Sequence, residues 1–160
     1  SLIKAYSMFI RASNSKMNLV ITGGDKEQLN TYRNIVDEFG LKDRVHFLGW
    51  IEQGSLPVLA RNAKFIVYPT FAEGFGLPLA EAMAARTPVA VSKLPSFLKM
   101  GENVPIYIDP KDPKSISNGM KEASKGRSKD ILDKGRLIAS NYSWDNTFKK
   151  TYTIYSGIHK

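Results

Sequence analysis

The sequence has no cysteine among its 160 residues. That excludes a disulfide framework and cysteine-ligated zinc, and it suits a cytoplasmic setting without requiring one. No stretch approaches the roughly 18 apolar residues of a membrane-spanning helix. The first residues also lack the charged and then apolar order of a secretory leader. The expectation is a soluble or peripheral protein, in the cytoplasm or at the inner face of the membrane. Histidine occurs twice, and neither His46, set among apolar residues, nor His159, near the end, has a partner at metal-ligand spacing. No Asp-x-Asp pair occurs, so the usual carboxylate pair for a divalent ion is missing. The expectation is therefore no metal site and no cofactor. Gly23-Gly24-Asp25 is not the G-x-G-x-x-G of a dinucleotide fingerprint, and no G-x-S-x-G hydrolase elbow is present.

What is present suits one folded domain. At 17.9 kDa, with 42% hydrophobic and 24% charged residues, the chain can bury a core without staples. The net charge of +8 is uneven. Residues 1–110 carry 12 Lys and Arg against 10 acids, and residues 111–160 carry 11 against 5. Lys121, Lys125, Arg127, Lys129 and Lys134 lack interleaved aromatics, so nucleic acid is not the expected partner. They read as a solvated helix face or as a contact with an anionic membrane surface.

Along the chain, apolar runs and amphipathic stretches alternate. Leu2, Ile3, Tyr6, Phe9 and Ile10 have helical spacing. Leu19 to Thr22 reads as a buried strand stopped by Gly23 and Gly24. Asp25 then caps a helix through Leu29, Tyr32, Val36 and Phe39 that ends at Gly40. Strands follow at Val45 to Leu48, Phe65 to Tyr68, Val89 to Val91 and Ile106 to Ile108. Between them come a short helix opened by Ser55 and another from about Leu79 to Ala85. Three helices with basic outer faces finish the chain over about 112–158, opened by Asp112, Ser128 and Ser143. Continuously apolar strands alternating with helices predict an α/β fold, a doubly wound, Rossmann-like parallel sheet with helices on both faces. Such a sheet normally opens on a strand, and none precedes the first helix, so the first strand is expected to be missing.

The densest chemistry lies in Glu73-Gly74-Phe75-Gly76-Leu77-Pro78-Leu79-Ala80-Glu81, between a strand and a helix. Its glycines let backbone approach a ligand, and the helix start offers N–H groups to an anion such as a diphosphate. Carboxylates there suit hydroxyls, so Glu73 and Glu81 could hold sugar and ribose on either side of a diphosphate. Glu81 is expected in the first helical turn, facing the same crevice. It could equally complement the positive helix end, and the glycines could simply make a turn.

This Glu73 to Glu81 spacing resembles the E-x7-E signature of retaining GT-B glycosyltransferases, family 4 of group 1. Flanking blocks are similar too. They are Leu19 to Gly24, Leu41-Lys42-Asp43-Arg44-Val45-His46-Phe47-Leu48-Gly49, Pro88 to Val91, Ile106 to Pro110 with Asp112-Pro113, and Tyr142-Ser143-Trp144. The resemblance runs in order through nearly all of the chain. It implies the C-terminal, nucleotide-sugar-binding half of a two-domain enzyme, with residues 1–160 as one domain of a longer chain.

By resemblance, Glu73 meets the donor sugar and is the catalytic residue, and Glu81 meets the ribose. Gly74, Phe75, Gly76 and Leu77 meet sugar and phosphates through their backbone, and Gly23 joins the donor-binding set. Trp50 and Ile51 resemble the wall against which the base packs, although Trp50 could also be core or surface cover. The implied substrate is a UDP-sugar or GDP-sugar, and the implied acceptor a glycan or lipid-linked sugar held by an N-terminal domain outside this sequence. The family's Arg and Lys at the diphosphate are not here, so this chain alone is expected to transfer little. Its Leu94-Pro95 is followed by Ser96 and Phe97 where many relatives carry an acid. A non-catalytic nucleotide-binding or assembly module of the same fold is the alternative.

Overall fold

The computed structural model describes residues 1–52 and 54–158, which leaves His159 outside the described residues. The chain opens with α1 (Leu2–Ser13), β1 (Leu19–Thr22), α2 (Lys26–Glu38), β2 (Val45–Gly49) and α3 (Ser55–Asn62). Then come β3 (Ile66–Tyr68), α4 (Leu77–Ala84), β4 (Val89–Ser92), α5 (Pro95–Gly101) and β5 (Ile106–Ile108). It closes with α6 (Pro113–Ser124), α7 (Lys129–Ser140) and α8 (Trp144–Ile158). Three of the caps read from the sequence are made as expected. Asp25 accepts from the Gln28 N–H, Asp112 from the Lys114 and Ser115 N–H groups, and Ser128 from the Ile131 N–H.

Every strand pairing is parallel, but the ladder comes in two pieces, β1–β2 and β3–β4–β5. Side chains of β4 and β5 alternate between two cores, as pleating requires. Ala90, Ile106 and Ile108 join α1 and α6 on one face. Val89 and Val91 join α4, α5 and Ala139 of α7 on the other. Over β1–β2 one face is covered, and on the other Val20 and Leu48 stay 48% and 46% exposed.

The two pieces are linked through α1. The Tyr6 hydroxyl donates to the carbonyls of Met17 (2.7 Å) and Arg44 (3.2 Å), and Arg44 Nη2 donates to the Ser15 and Met17 carbonyls at 2.9 Å. Phe9 meets Phe65 edge-on, with ring centroids 5.9 Å apart. Arg44, the arginine of the Leu41 to Gly49 block, is thus a structural pin.

Three local expectations are corrected. Helix α5 was not visible in the sequence, because seven residues behind Pro95 are too few to display a period. Helix α4 starts at Leu77 rather than Leu79. Gly76 adopts φ 104°, which turns the chain straight into the helix, and Pro78 in the first turn lacks only an N–H that would be unpaired there. Ser55 lies inside α3 rather than capping it, Gly54 being the N-cap residue.

Helix α6 lies unusually close to the sheet. A Cβ on Gly119 would collide with Ile108 Cγ2 and stand 3.5 Å from the Ala90 Cβ. Gly119→Ala should therefore cost about 1–3 kcal/mol of stability, seen as a lower urea midpoint at unchanged slope. A midpoint equal to that of the wild type would contradict the close packing.

Candidate functional site

Strand β3 ends at Tyr68, and residues 69–76 carry the chain to α4. This connection is held from beneath by the neighbouring strand and helix. The fully buried Ser92, last residue of β4, donates from Oγ to the Thr70 carbonyl at 2.6 Å. Ser96, in the first turn of α5, donates from Oγ to the Glu73 carbonyl at 2.9 Å. Thr70 Oγ1 donates to the Ala72 carbonyl at 2.8 Å.

The Glu73 carboxylate folds back over the turn it opens. Its Oε1 accepts from the backbone N–H groups of Gly76 (3.2 Å) and Phe75 (3.4 Å). Its Oε2 accepts from the Tyr68 hydroxyl at 3.4 Å. The turn therefore already holds an anion, the protein's own, on N–H groups at the start of α4. Gly76 is buried, and a Cβ there would stand 2.9 Å from the Phe97 ring. Left-handed backbone and this contact together require glycine.

Glu81 lies in the second turn of α4, not the first. No acid occupies the first turn, so the helix-end role is overturned. Glu81 is exposed, four residues beyond the exposed Leu77 and hence on the same side of the helix. Leu79, Ala82 and Met83 face the core. Trp50, directly after β2, is 89% exposed, which removes the core alternative for it, and Ile51 is half-buried. The Gly23 N–H donates to the Gly49 carbonyl at 2.7 Å, closing the ends of β1 and β2 side by side. All the candidate residues thus follow the C-terminal ends of parallel strands, where open α/β sheets bind ligands. Glu73, Phe75 and Gly76 are joined by hydrogen bonds. Gly23 with Trp50 and Ile51 forms a separate group at the ends of β1 and β2.

Tyr68 and Ser92, and the role of Ser96 as a support for the turn, were not anticipated from the sequence. Ser92 and Tyr68 each place a polar group at the end of an apolar strand, a signal that was available. Ser96, noted in the sequence only as a departure from the family pattern, is given a structural use by its bond to the Glu73 carbonyl. The basic C-terminal third is also partly explained. Arg127, in the α6–α7 connection, pairs with Glu122 at 3.2 Å and donates to the Asn103 and Val104 carbonyls. Lys134 pairs with Glu102 at 2.7 Å. These two cations stitch helices to the segment before β5 rather than forming a free basic face.

A Rossmann-like domain with a glycine turn and a carboxylate at the edge of its sheet defines the class. The family description "Glycosyl transferases group 1" matches residues 1–136, and the chain belongs to that family. It is 34% identical over 129 residues to the O-antigen chain mannosyltransferase RfbU of Salmonella typhimurium, covering 81% of this chain and 36% of that protein. It is 30% identical over 159 residues to an uncharacterized glycosyltransferase of Methanocaldococcus jannaschii, covering 96% and 40%. The chain thus spans about two fifths of the length of these relatives. In fold it is similar to sucrose-phosphate synthase from Thermosynechococcus elongatus, with a TM-score of 0.83 at 23% identity over 99% of this chain and 42% of that one. Anabaena HepE, solved in complex with UDP-glucose, gives 0.82 at 20% identity over 97% and 44%.

Burial first, and the Glu73 charge second, raise the Tyr68 pKa above its ordinary value near 10. The protonated hydroxyl is thus the form that the fold favours. Its stabilising effect is complete below pH 10 and is lost as pH rises through the raised pKa. Ultraviolet titration, with Tyr68→Phe to isolate this residue, should show a tyrosinate component above pH 10. A component titrating at or below 10 would contradict the contact with Glu73.

Proposed function

We propose that this chain is the donor-binding domain of a retaining glycosyltransferase that moves a hexose from a UDP- or GDP-sugar to a glycan or lipid-linked acceptor. The observation that carries this reading is the Glu73 turn. An incoming donor oxygen could take over the Phe75 and Gly76 N–H groups, freeing the carboxylate to accept from sugar hydroxyls. Glu73 then orients the sugar, the exposed Glu81 is available to the ribose, and the Trp50 ring is available to the base.

Pre-oriented backbone dipoles at the start of α4 would stabilise the charge that develops on the phosphate as the glycosidic bond breaks. The leaving phosphate itself takes the acceptor's proton, so no protein nucleophile is required. The acceptor, and the cations that meet the diphosphate, are assigned to the part of the relatives' length that this chain does not span. Metal-independent transfer belongs to the same proposal, which invokes no ion. Among the described residues no helix is long and apolar enough to cross a membrane. Exposed Lys114 and Lys121 of α6 and Lys129 of α7, with exposed Trp144, Phe148 and Tyr152 on α8, support a peripheral contact with an anionic membrane.

The test is transfer by the full-length enzyme across a panel of UDP-, GDP- and ADP-sugars. Glu73→Ala should lower the rate by about a hundredfold or more, while thermal unfolding shows an intact fold. A folded variant with near-wild-type transfer would falsify the assignment of Glu73. A wild-type enzyme inert towards every donor would favour the non-catalytic module.

A further inference from the structure

Helix α7 runs antiparallel to α4, and contacts along the pair follow a steady register. Asp133, early in α7, pairs with Arg86 just beyond the end of α4 at 2.6 Å. Gly135 lies against Met83, where a Cβ would stand 3.4 Å from the Met83 Cγ. At the far end Tyr142, just past α7, meets Phe75, just before α4, edge-to-face, with ring centroids 5.4 Å apart and an interplanar angle of 82°. The Tyr142 N–H donates to the Ala139 carbonyl at 3.0 Å, which fixes the backbone of the ring to the end of α7.

Phe75 belongs to the Gly74-Phe75-Gly76 turn, and its side chain is half exposed. A turn flanked by glycines orders itself poorly, because glycine backbone retains much freedom. The Glu73 carboxylate holds this turn from one side through two N–H groups. On the outer side the ring pair with Tyr142 is a second hold, and it comes from a different helix.

We propose that Tyr142 is a positioning residue for the donor. Its ring fixes Phe75, and so keeps the Phe75 and Gly76 N–H groups in the geometry that a sugar nucleotide meets. Tyr142 touches no reacting atom in this scheme and acts only through Phe75. The inference rests on the donor reading of this turn, but its structural half can be tested without a donor.

The experiment compares wild type, Tyr142→Phe, Tyr142→Leu and Tyr142→Ala in two measurements. The first is amide hydrogen exchange at Phe75 and Gly76 without ligand. The second is calorimetric titration with UDP-glucose and, separately, GDP-mannose. Tyr142→Ala and Tyr142→Leu should speed exchange at Gly76 and weaken binding about fivefold, the scale of one aromatic pair. Tyr142→Phe should restore both, since the ring and not the hydroxyl makes the contact.

Unchanged exchange and unchanged affinity in folded Tyr142→Leu would overturn the proposal while leaving the donor site standing. Loss of affinity that Tyr142→Phe fails to rescue would also overturn it. If wild type binds neither probe, the donor reading is what fails. Exchange at Gly76 then still decides whether Tyr142 holds the turn, faster exchange in Tyr142→Leu supporting that hold and equal exchange refuting it.

Discussion

The burial of β4 on both faces is the constraint on which the rest of the domain depends. All four of its residues are buried, and it pairs with β3 on one edge and β5 on the other. Ala90 closes the core beneath α1 and α6, and Val89 and Val91 close the core beneath α4, α5 and α7. Each fully buried valine contributes roughly 1.5–3 kcal/mol relative to exposure, so the strand cannot shift register without exposing one core or the other. Its last residue, Ser92, reaches across to the Thr70 carbonyl. The strand that separates the cores therefore also sets where the functional turn begins.

From that point the turn is held at every stage. Ser92 holds its start and Ser96 its middle, the Glu73 carboxylate binds its N–H groups, and Phe97 fills the space a side chain at Gly76 would need. A rigid scaffold presenting a glycine turn is how loops carry binding without losing precision. The same Glu73 that orders the turn through the Phe75 and Gly76 N–H groups is the residue proposed to meet the sugar. In the proposed reading, donor binding exchanges hydrogen-bond partners within a preformed cradle rather than ordering a loose loop.

Much of this was legible in the residues. Continuous apolar runs gave all five strands, and Asp25, Asp112 and Ser128 gave helix starts because a short polar side chain before an amphipathic stretch has a physical reason to be there. Glu73, Gly76 and Glu81 stood out through their spacing. The remainder depended on tertiary proximity. Helix α5 is too short to show a period, and the first turn of α4 follows from a left-handed glycine rather than from any pattern. Ser92 and Ser96 act on carbonyls 22 and 23 residues away. Arg127 and Lys134 looked like surface charge until the segment from Glu102 to Val104 was seen beside them.

The central claim is that the N–H groups now held by Glu73 are those a sugar nucleotide occupies. A crystal structure of this chain bound to the sugar nucleotide it favours tests it most directly. A donor oxygen should lie within hydrogen-bonding distance of the Phe75 or Gly76 N–H, with the Glu73 carboxylate turned to the sugar. A donor bound elsewhere, with Glu73 still closed on Gly76, would contradict it.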